Sequence, residues 1–408
     1  MIDFTQMKAF SEEPLILTEG DGVRVRDVDG NWYFDGLSGT FCLSLGHGNA
    51  QLVAAATSQL SRLALAAPTM ATSDRSLELA RDLLSLLPPQ YTTLKWGSSG
   101  SEAVEAAIKM ARQFHRQAGD PRKYKVLSHY RAYHGVTGHA LAASGWRASR
   151  SPYEPLAAGF VHLHTPDPYR PPFDVDPAEV GATYVRLVEQ VIELEGPETI
   201  AALITEPILM SAGVVIPPPD YLPALRALCD RHDIVLVFDE IITGFGRTGR
   251  LFASELTATW PDILVFGKGL TGGYVALSAT VITDRLRAPS GDPPGSSSQP
   301  ATRTPETLSR AQSASRRCRR CVTSTWWRTP PPVASRRSNG CARCRRASRE
   351  SGTFAGRVSC SASSSCAATT PRSGFPSRRT SASGSGKPPA GRGCSSGRAT
   401  GWRCSLRR

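Results

Sequence analysis

The sequence predicts an α/β protein built on a mainly parallel β-sheet. Short and nearly continuous apolar segments recur after residue 72, and helical patterns separate them. Strands of this kind are buried on both faces, which is typical of a parallel sheet covered by helices. Because ligands bind at the carboxyl ends of such strands, we expect the functional residues there.

Local patterns predict the individual elements. Residues 23–36, VRVRDVDGNWYFDG, alternate in polarity and contain Asp29-Gly30, which predicts a hairpin. Residues 101–114 and 218–233 have helical spacing. The predicted strands are residues 123–129, 201–207, 233–240, 262–268 and 276–282.

The formal charge of +13 is unevenly distributed along the chain. Residues 287–408 hold 24 of the 48 basic and 3 of the 35 acidic side chains, giving +21, which leaves residues 1–286 at −8. The chain is therefore an acidic globular body with a basic tail. Cys42 and Cys229 are the only cysteines before residue 300. We therefore expect no disulfide framework and a cytoplasmic location. The N-terminus lacks the pattern of a secretory signal, and no apolar run approaches the length of a membrane span, so we expect neither.

Charged side chains follow three of the predicted strands. Asp239 and Glu240 end one segment, Glu206 follows another, and Lys268 follows a third. The ends of parallel strands share one edge, so we expect these side chains to converge. The alternative is ordinary strand-end polarity, since loops carry charge in most proteins.

Two further motifs contain candidate binding residues. Ser99-Gly-Ser-Glu102 has the form of a capping box, which by itself predicts only a helix start. A helix N-terminus with glycine and serines also favours an anion such as phosphate. Tyr133 and His134 follow another strand, where packing and ligand stacking are both open interpretations.

Together these features match the needs of pyridoxal 5'-phosphate (PLP). This cofactor requires a lysine for a Schiff base, a carboxylate at its pyridine nitrogen, an aromatic side chain and a phosphate cradle. Burial lowers the pKa of a lysine, which keeps part of the amine neutral and nucleophilic.

The order of the motifs resembles the class III, or omega-amino acid:pyruvate, aminotransferases. The resemblance covers roughly residues 12–286 and includes SSGSEAVEAAIKMAR, YHG, LVFDEIITGFGRTGRLFASE and PDILVFGKGLTGGYVALSATVI. It implies fold-type I, with a mainly parallel seven-stranded sheet in a large domain, a small domain and a homodimer. The C-terminal half of that small domain is not recognisable in the chain.

The resemblance also implies roles for individual residues. Lys268 would be the catalytic Schiff-base lysine, and Asp239 would pair with the pyridine nitrogen, supported by Glu206. Gly100 and Ser101 would hold the phosphate.

The remaining site residues surround the expected ring. Ile241 and Tyr133 would enclose it, with His134 of the YHG motif also in the cofactor site. Phe41 stands where many relatives carry Trp and, with Tyr133, is expected to line the substrate pocket. No metal ligand is expected.

The expected reaction is transamination from an omega-amino acid or amine to a 2-oxo acid. The segments around residues 131–135 and 153–170 look most like members acting on β-alanine or taurine with pyruvate. Diamine and diaminopelargonate donors remain open. We expect neither a membrane nor a nucleic acid as partner.

The expected domains are residues 1–60, the N-terminal part of the small domain, residues 61–287, the large PLP-binding domain, and residues 288–408, a basic Ser/Arg/Pro-rich tail. GFGRTG at 244–249 fits a dinucleotide fingerprint. That fingerprint should follow a strand directly and open a helix, which this segment is not expected to do.

A rival hypothesis comes from the tail. Cys318, Cys321, Cys341 and Cys344 have zinc-ribbon spacing and arginines surround them, which would suit a nucleic-acid-binding module. Zinc analysis of the purified protein separates the two hypotheses.

We predict instead that the sequence from about residue 288 is a wrong-frame translation. The family expects an H-x-H-T-Y-x-G-[HN]-P-type motif soon after ALSATVI. Codons for ATRTPETLSR (301–310), read with the last base of each joined to the first two of the next, permit H-T-Y-A-G-N-P-V-A. A genuine disordered basic tail is the alternative.

Overall fold

The computed structural model describes residues 15–67 and 69–287. Ten strands lie in this part of the chain. They are β1 Leu17–Asp21, β2 Arg24–Asp27, β3 Trp32–Phe34, β4 Tyr91–Gly97, β5 Lys125–His129, β6 Phe160–Leu163, β7 Ile200–Thr205, β8 Val235–Asp239, β9 Ile263–Phe266 and β10 Ser278–Thr283.

Helices and shorter turns connect these strands. The α-helical segments are α1 Ser38–Phe41, α2 Ala50–Arg62, α3 Asp74–Ser85, α4 Gly100–Gln117, α5 Gly138–Ala143, α6 Arg147–Arg150, α7 Val180–Glu195 and α8 Tyr221–Arg231. Single 3-10 turns are Ser151–Tyr153, Pro197–Thr199, Ala253–Glu255, Lys268–Leu270 and Asp284–Leu286.

The larger sheet has seven strands in the order β4-β10-β9-β8-β7-β5-β6. Only β10 runs antiparallel to its neighbours, β9 and β4, and the other pairs are parallel. Strand β4 therefore points the same way as β9. This confirms the predicted mainly parallel sheet and places the carboxyl ends of six strands at one edge.

Apolar side chains on both faces of the central strands explain why helices cover both faces of the sheet. On β8, Leu236 and Phe238 pack with α3, α7 and α8, whereas Val235 and Val237 pack with α4 and α5. Side chains of a strand point alternately to the two faces, so every residue of β8 is buried. Alanines on α4 let this helix approach the sheet closely.

The N-terminal part forms a separate three-stranded antiparallel sheet in the order β1-β2-β3. The hairpin predicted at Asp29-Gly30 connects β2 and β3, and Gly30 has a φ of 90°, which glycine adopts without strain.

The predicted central elements are present with shifts of a few residues at their ends. Strands β1, β4 and β6 were not predicted, because all three lie at sheet edges and contain polar or half-exposed residues. The domain boundaries at residues 60 and 287 remain a prediction. The tail from residue 288, including the four cysteines with zinc-ribbon spacing, lies outside the described residues.

Candidate active site

The carboxyl edge of the sheet brings the predicted residues together. Strands β8 and β9 are adjacent, with Asp239 opposite Val265, so Asp239 and Lys268 follow neighbouring strands. Strand β7 delivers Glu206 beside them, and β4 leads into the N-terminus of α4 at Gly100. The convergence expected from the sequence is therefore present for Asp239, Glu206 and Lys268.

Asp239 is buried and its two oxygens are held separately. Oδ1 accepts a hydrogen bond from the Ile241 backbone N–H at 3.1 Å. Oδ2 lies 2.8 Å from Nδ1 of His134. An ionised carboxylate only accepts hydrogen bonds, so Nδ1 of the imidazole carries the proton. His134 thus lies behind Asp239 and orients it.

Glu206 forms a second buried carboxyl group in the same cluster. It accepts hydrogen bonds from the backbone N–H groups of Tyr133 at 3.3 Å and Met210 at 3.0 Å. Burial and the charge of Asp239 raise the pKa of Glu206 to about 7, although His134 opposes this shift. Glu206 therefore fixes the start of the Tyr133 loop and is poised to hold a proton near neutral pH.

Glu240 does not join this cluster, contrary to the expectation that both strand-end acids converge. It lies on the opposite face from Asp239, because alternate residues of a strand point to opposite sides. Its carboxylate accepts hydrogen bonds from the backbone N–H groups of Ala253 at 2.7 Å and Ser254 at 2.8 Å, and from the Ser254 hydroxyl at 2.6 Å. Glu240 therefore organises the turn that starts at Ala253.

The N-terminus of α4 forms a cradle of backbone donors. Ser99 caps the helix by accepting a hydrogen bond from the Glu102 N–H at 3.2 Å. The N–H groups of Gly100 and Ser101 lie in the first turn and have no partner within the described residues, as helix geometry dictates. The Ser101 hydroxyl accepts a hydrogen bond from the Val136 N–H at 3.1 Å.

Ile241 lies between this cradle and the strand-end lysine segment. A Cβ at Gly100 would lie 2.7 Å from Cδ1 of Ile241, and one at Gly267 would lie 3.3 Å from its Cγ2. Only glycine permits such close packing at Gly100. Tyr133, the other expected ring contact, meets Trp146 edge-on, with ring centroids 6.4 Å apart.

Lys268 follows β9 with an unusual backbone. Its φ of 40° lies in the left-handed region that side chains other than glycine rarely adopt. Its Nζ has no hydrogen bond or ion pair with another described residue and lies 5.5 Å from the ring centroid of Phe41. Burial lowers the pKa of Lys268, while the carboxylates of Asp239 and Glu206 act in the opposite direction.

Phe41 reaches Lys268 from a strained turn. Residues Ser38 to Phe41 have φ values of 54°, 56°, 60° and 65°, so α1 is a left-handed turn. Such a conformation costs roughly 1–2 kcal/mol for each residue other than glycine. Backbone strain of this kind persists where the surrounding structure enforces it.

Two residues near this edge were not found from the sequence. Arg247 donates a hydrogen bond from Nη2 to the Phe41 carbonyl at 2.7 Å. Ser278 begins β10 opposite Gly97, and its buried hydroxyl has no partner within residues 15–67 and 69–287. Arg247 belongs to the GFGRTG segment, to whose residues the sequence prediction assigns no site role. That segment forms successive turns and opens no helix.

The family model for class III aminotransferases matches residues 7–292. The chain belongs to the class III aminotransferases. An uncharacterized aminotransferase of Bacillus subtilis is 39% identical over 287 residues, covering 70% of this chain and 62% of the relative. A putrescine–pyruvate aminotransferase of Pseudomonas aeruginosa is 33% identical over 285 residues, covering 69% and 62%.

A solved structure gives the same classification. The (S)-enantioselective omega-transaminase from Thermomicrobium roseum is similar at a TM-score of 0.68 and 39% identity, covering 70% of this chain and 64% of that one. This class III aminotransferase chain thus spans less than two thirds of the length of the curated relatives it matches.

The tail cysteines of the zinc hypothesis lie outside the described residues, and the metal and membrane findings below concern only the described part of the chain. Within residues 15–67 and 69–287, no group of three or more His, Cys, Asp or Glu side chains could hold a metal ion. In the same part of the chain, no helix is long and apolar enough to cross a membrane.

Proposed function

We propose that the protein is a PLP-dependent transaminase that moves an amino group from an omega-amino acid or amine to a 2-oxo acid. One observation carries the proposal. The unpaired amine of Lys268 lies on the same sheet edge as the Asp239–His134 pair and the free N–H groups of α4.

The residues present fit PLP. The first-turn N–H groups of Gly100 and Ser101 suit a phosphate dianion, which the helix dipole also favours. Asp239 keeps lone pairs for a further donor after its two hydrogen bonds, as a pyridinium N–H requires. Ile241 and Tyr133 supply apolar surface near these two groups. A PLP-bound amine transaminase from an uncultivated Pseudomonas species, 38% identical to this chain, supports the assignment.

When bound, PLP supplies an aldehyde that takes up the amino group and a ring that withdraws electrons from the bond being broken. The protein supplies the rest. Lys268 offers an amine whose lowered pKa increases the share of its neutral, nucleophilic form, and this amine would also move a proton. The Asp239 carboxylate, oriented by His134, keeps a positive charge at the ring nitrogen.

The substrates are proposed from relatives. The putrescine–pyruvate aminotransferase of Pseudomonas aeruginosa and the taurine–pyruvate aminotransferase of Bilophila wadsworthia both carry pyruvate in their names. We therefore propose pyruvate as the acceptor, with an omega-amine such as β-alanine or taurine as donor. Diamines and diaminopelargonate remain the alternative donors, and the screen below includes a diamine.

The proposed assembly is a cytoplasmic homodimer, as in the resemblance described above. Sedimentation of a chain with a restored C-terminal part should give a dimer. A species that stays monomeric at micromolar concentration would contradict this part of the proposal.

A donor screen tests the activity. Purified protein with added PLP is offered β-alanine, taurine, putrescine and an arylalkyl amine, each with pyruvate, and alanine formation is measured. We expect at least one donor to produce alanine, and the Lys268→Ala variant to produce none. A parent chain with a restored C-terminal part that converts no donor would refute the proposal.

A further inference from the structure

The left-handed turn Ser38–Phe41 and the loop that carries Arg247 meet beside Lys268. We propose that Arg247 is a positioning residue that holds this turn, and that it thereby fixes the Phe41 ring opposite the Lys268 amine and limits the size of the amine donor. This inference rests on the proposed function, because it assigns Phe41 to the donor side of the site.

The intrinsic backbone preferences of its residues do not stabilise the left-handed turn. Of its four residues, all with φ between 54° and 65°, only Gly39 adopts that region without strain. The conformation of Ser38, Thr40 and Phe41 therefore requires contacts from outside the turn. Removing these contacts one at a time, by substitution, therefore measures how much each stabilises the turn.

Neighbouring residues close the turn but do not orient it toward Lys268. The Asp35 carboxylate accepts a hydrogen bond from the Gly39 N–H at 2.9 Å. The Ser38 hydroxyl donates to the Leu43 carbonyl at 2.9 Å. Both bonds lie within the segment of residues 35–43, so the whole segment could move without breaking them.

Arg247 supplies a contact from a different part of the fold. Its Nη2 donates to the carbonyl oxygen of Phe41, the last residue of the turn, at 2.7 Å. A hydrogen bond from a charged donor is stronger than a neutral one. Phe41 accepts this bond and places its ring 5.5 Å from Nζ of Lys268, so the contact holds the main chain from which the ring projects.

The segment after Lys268 contacts the residues that follow the turn. A Cβ at Gly273 would lie 3.0 Å from Cδ2 of Leu43 and 3.1 Å from Cβ of Cys42. The Tyr274 hydroxyl donates to the Gly46 carbonyl at 2.7 Å. The turn and the residues that follow it thus contact the loop after β8 and the loop after β9. Of these two supports, only Arg247 contacts the turn itself through a hydrogen bond.

Hydrogen exchange of the full chain with PLP tests the positioning role. The N–H groups of Phe41 and Cys42 donate within the turn, to Leu37 and Ser38, and report its integrity. In Arg247→Gln we expect both to exchange at least about tenfold faster, as loss of a charge-assisted hydrogen bond implies. The exposed neighbour Arg250, changed to Gln, is the matched control and should leave both rates unchanged. Unchanged exchange in Arg247→Gln would overturn the proposal.

A second variant distinguishes the loss of this positioning contact from a general loss of folded structure. Thr40→Gly relieves strain in the turn, so adding it to Arg247→Gln should restore slower exchange at Cys42. Failure of this rescue would overturn the argument that Arg247 offsets the strain.

Donor selectivity gives the functional measurement. We expect Arg247→Gln to shift the ratio of kcat/KM for an arylalkyl amine over β-alanine by about tenfold toward the larger donor, an effect of the size expected for one such contact. An unchanged ratio would overturn the donor-size role. If no donor reacts with any chain, the proposed function fails, and the exchange comparison still decides whether Arg247 holds the turn.

Discussion

His134 and Asp239 are joined by a buried contact of 2.8 Å between Nδ1 and Oδ2. The His134 backbone is held in turn, because its N–H donates to the Ser144 hydroxyl at 2.8 Å and this hydroxyl donates to the Ala140 carbonyl at 2.9 Å. The position of the carboxylate is therefore set by β8 on one side and by the end of α5 on the other. Under the proposed function, this arrangement would hold the carboxylate in place beside the cofactor nitrogen.

Changing Asp239 to Asn should preserve shape and remove this charge. We expect the rate of amino transfer to fall by several orders of magnitude, because the ring nitrogen loses the charge that keeps it protonated. PLP affinity should change little. Single-turnover absorbance and PLP titration measure the two effects, with the exposed Asp174→Asn as control. Unchanged single-turnover rates would exclude Asp239 from this role.

Changing Lys268 to Ala should abolish covalent attachment of the cofactor. The parent protein, treated with PLP and borohydride, should gain one pyridoxyl group on the peptide that contains Lys268. Mass spectrometry should find no such adduct in Lys268→Ala, and turnover should be lost. As the control, we expect the variant Lys109→Ala, at an exposed position, to retain both the pyridoxyl adduct and turnover. A pyridoxyl group found on another lysine of the parent would refute the assignment.

Glu206 should make stability depend on pH. Its folded-state pKa is raised from 4.5 to about 7, so the folded protein holds a proton there that the unfolded chain has already released. Its contribution is therefore fully present below pH 4.5 and is lost as the pH rises toward 7. At 1.36 kcal/mol per unit, the loss is about 3 kcal/mol.

Denaturant unfolding of the cofactor-free parent and of Glu206→Gln between pH 4.5 and 8 measures this contribution. Relative to the variant, the parent should lose free energy of unfolding as the pH rises. Glu193→Gln, an exposed helical position, should follow the parent at every pH. Parallel curves for parent and Glu206→Gln would show that the buried carboxyl group has an ordinary pKa.

The sequence correctly predicted that Asp239, Glu206 and Lys268 lie at one edge of the sheet, because this prediction depends only on sheet geometry. Parallel strands end at one edge whatever their exact register, so apolar segments that stop at charged residues identify that edge. The same reasoning was wrong for Glu240, because it ignored the alternation that turns successive side chains to opposite faces.

The contacts of Arg247 and Phe41 illustrate what the sequence leaves open. They lie 206 positions apart and meet through a backbone carbonyl, which no side-chain pattern records. Four consecutive positive φ values at Ser38–Phe41 are likewise imposed by tertiary contacts, since three of these residues prefer other conformations. Local propensity therefore predicts the strands around the site but not the turn that approaches Lys268.

The last prediction concerns the coding sequence beyond about codon 288. The family match ends at residue 292, and the chain covers 62% of the length of its Bacillus subtilis relative. We propose that a single-base insertion or deletion changed the reading frame there. Sequencing the coding DNA should reveal H-T-Y-x-G-N-P in the shifted frame at codons 301–310, followed by an open frame that encodes family-like sequence.

The same shift applied to codons 201–287 is the matched control, and it should give no family-like sequence, because the present frame already encodes β7 to β10. A chain with the frame restored should retain PLP through gel filtration better than the chain as given, because the rest of the small domain would again be present. Stop codons throughout the shifted frame would show that the basic tail is genuine. Zinc analysis of the purified protein would then decide whether Cys318, Cys321, Cys341 and Cys344 bind metal.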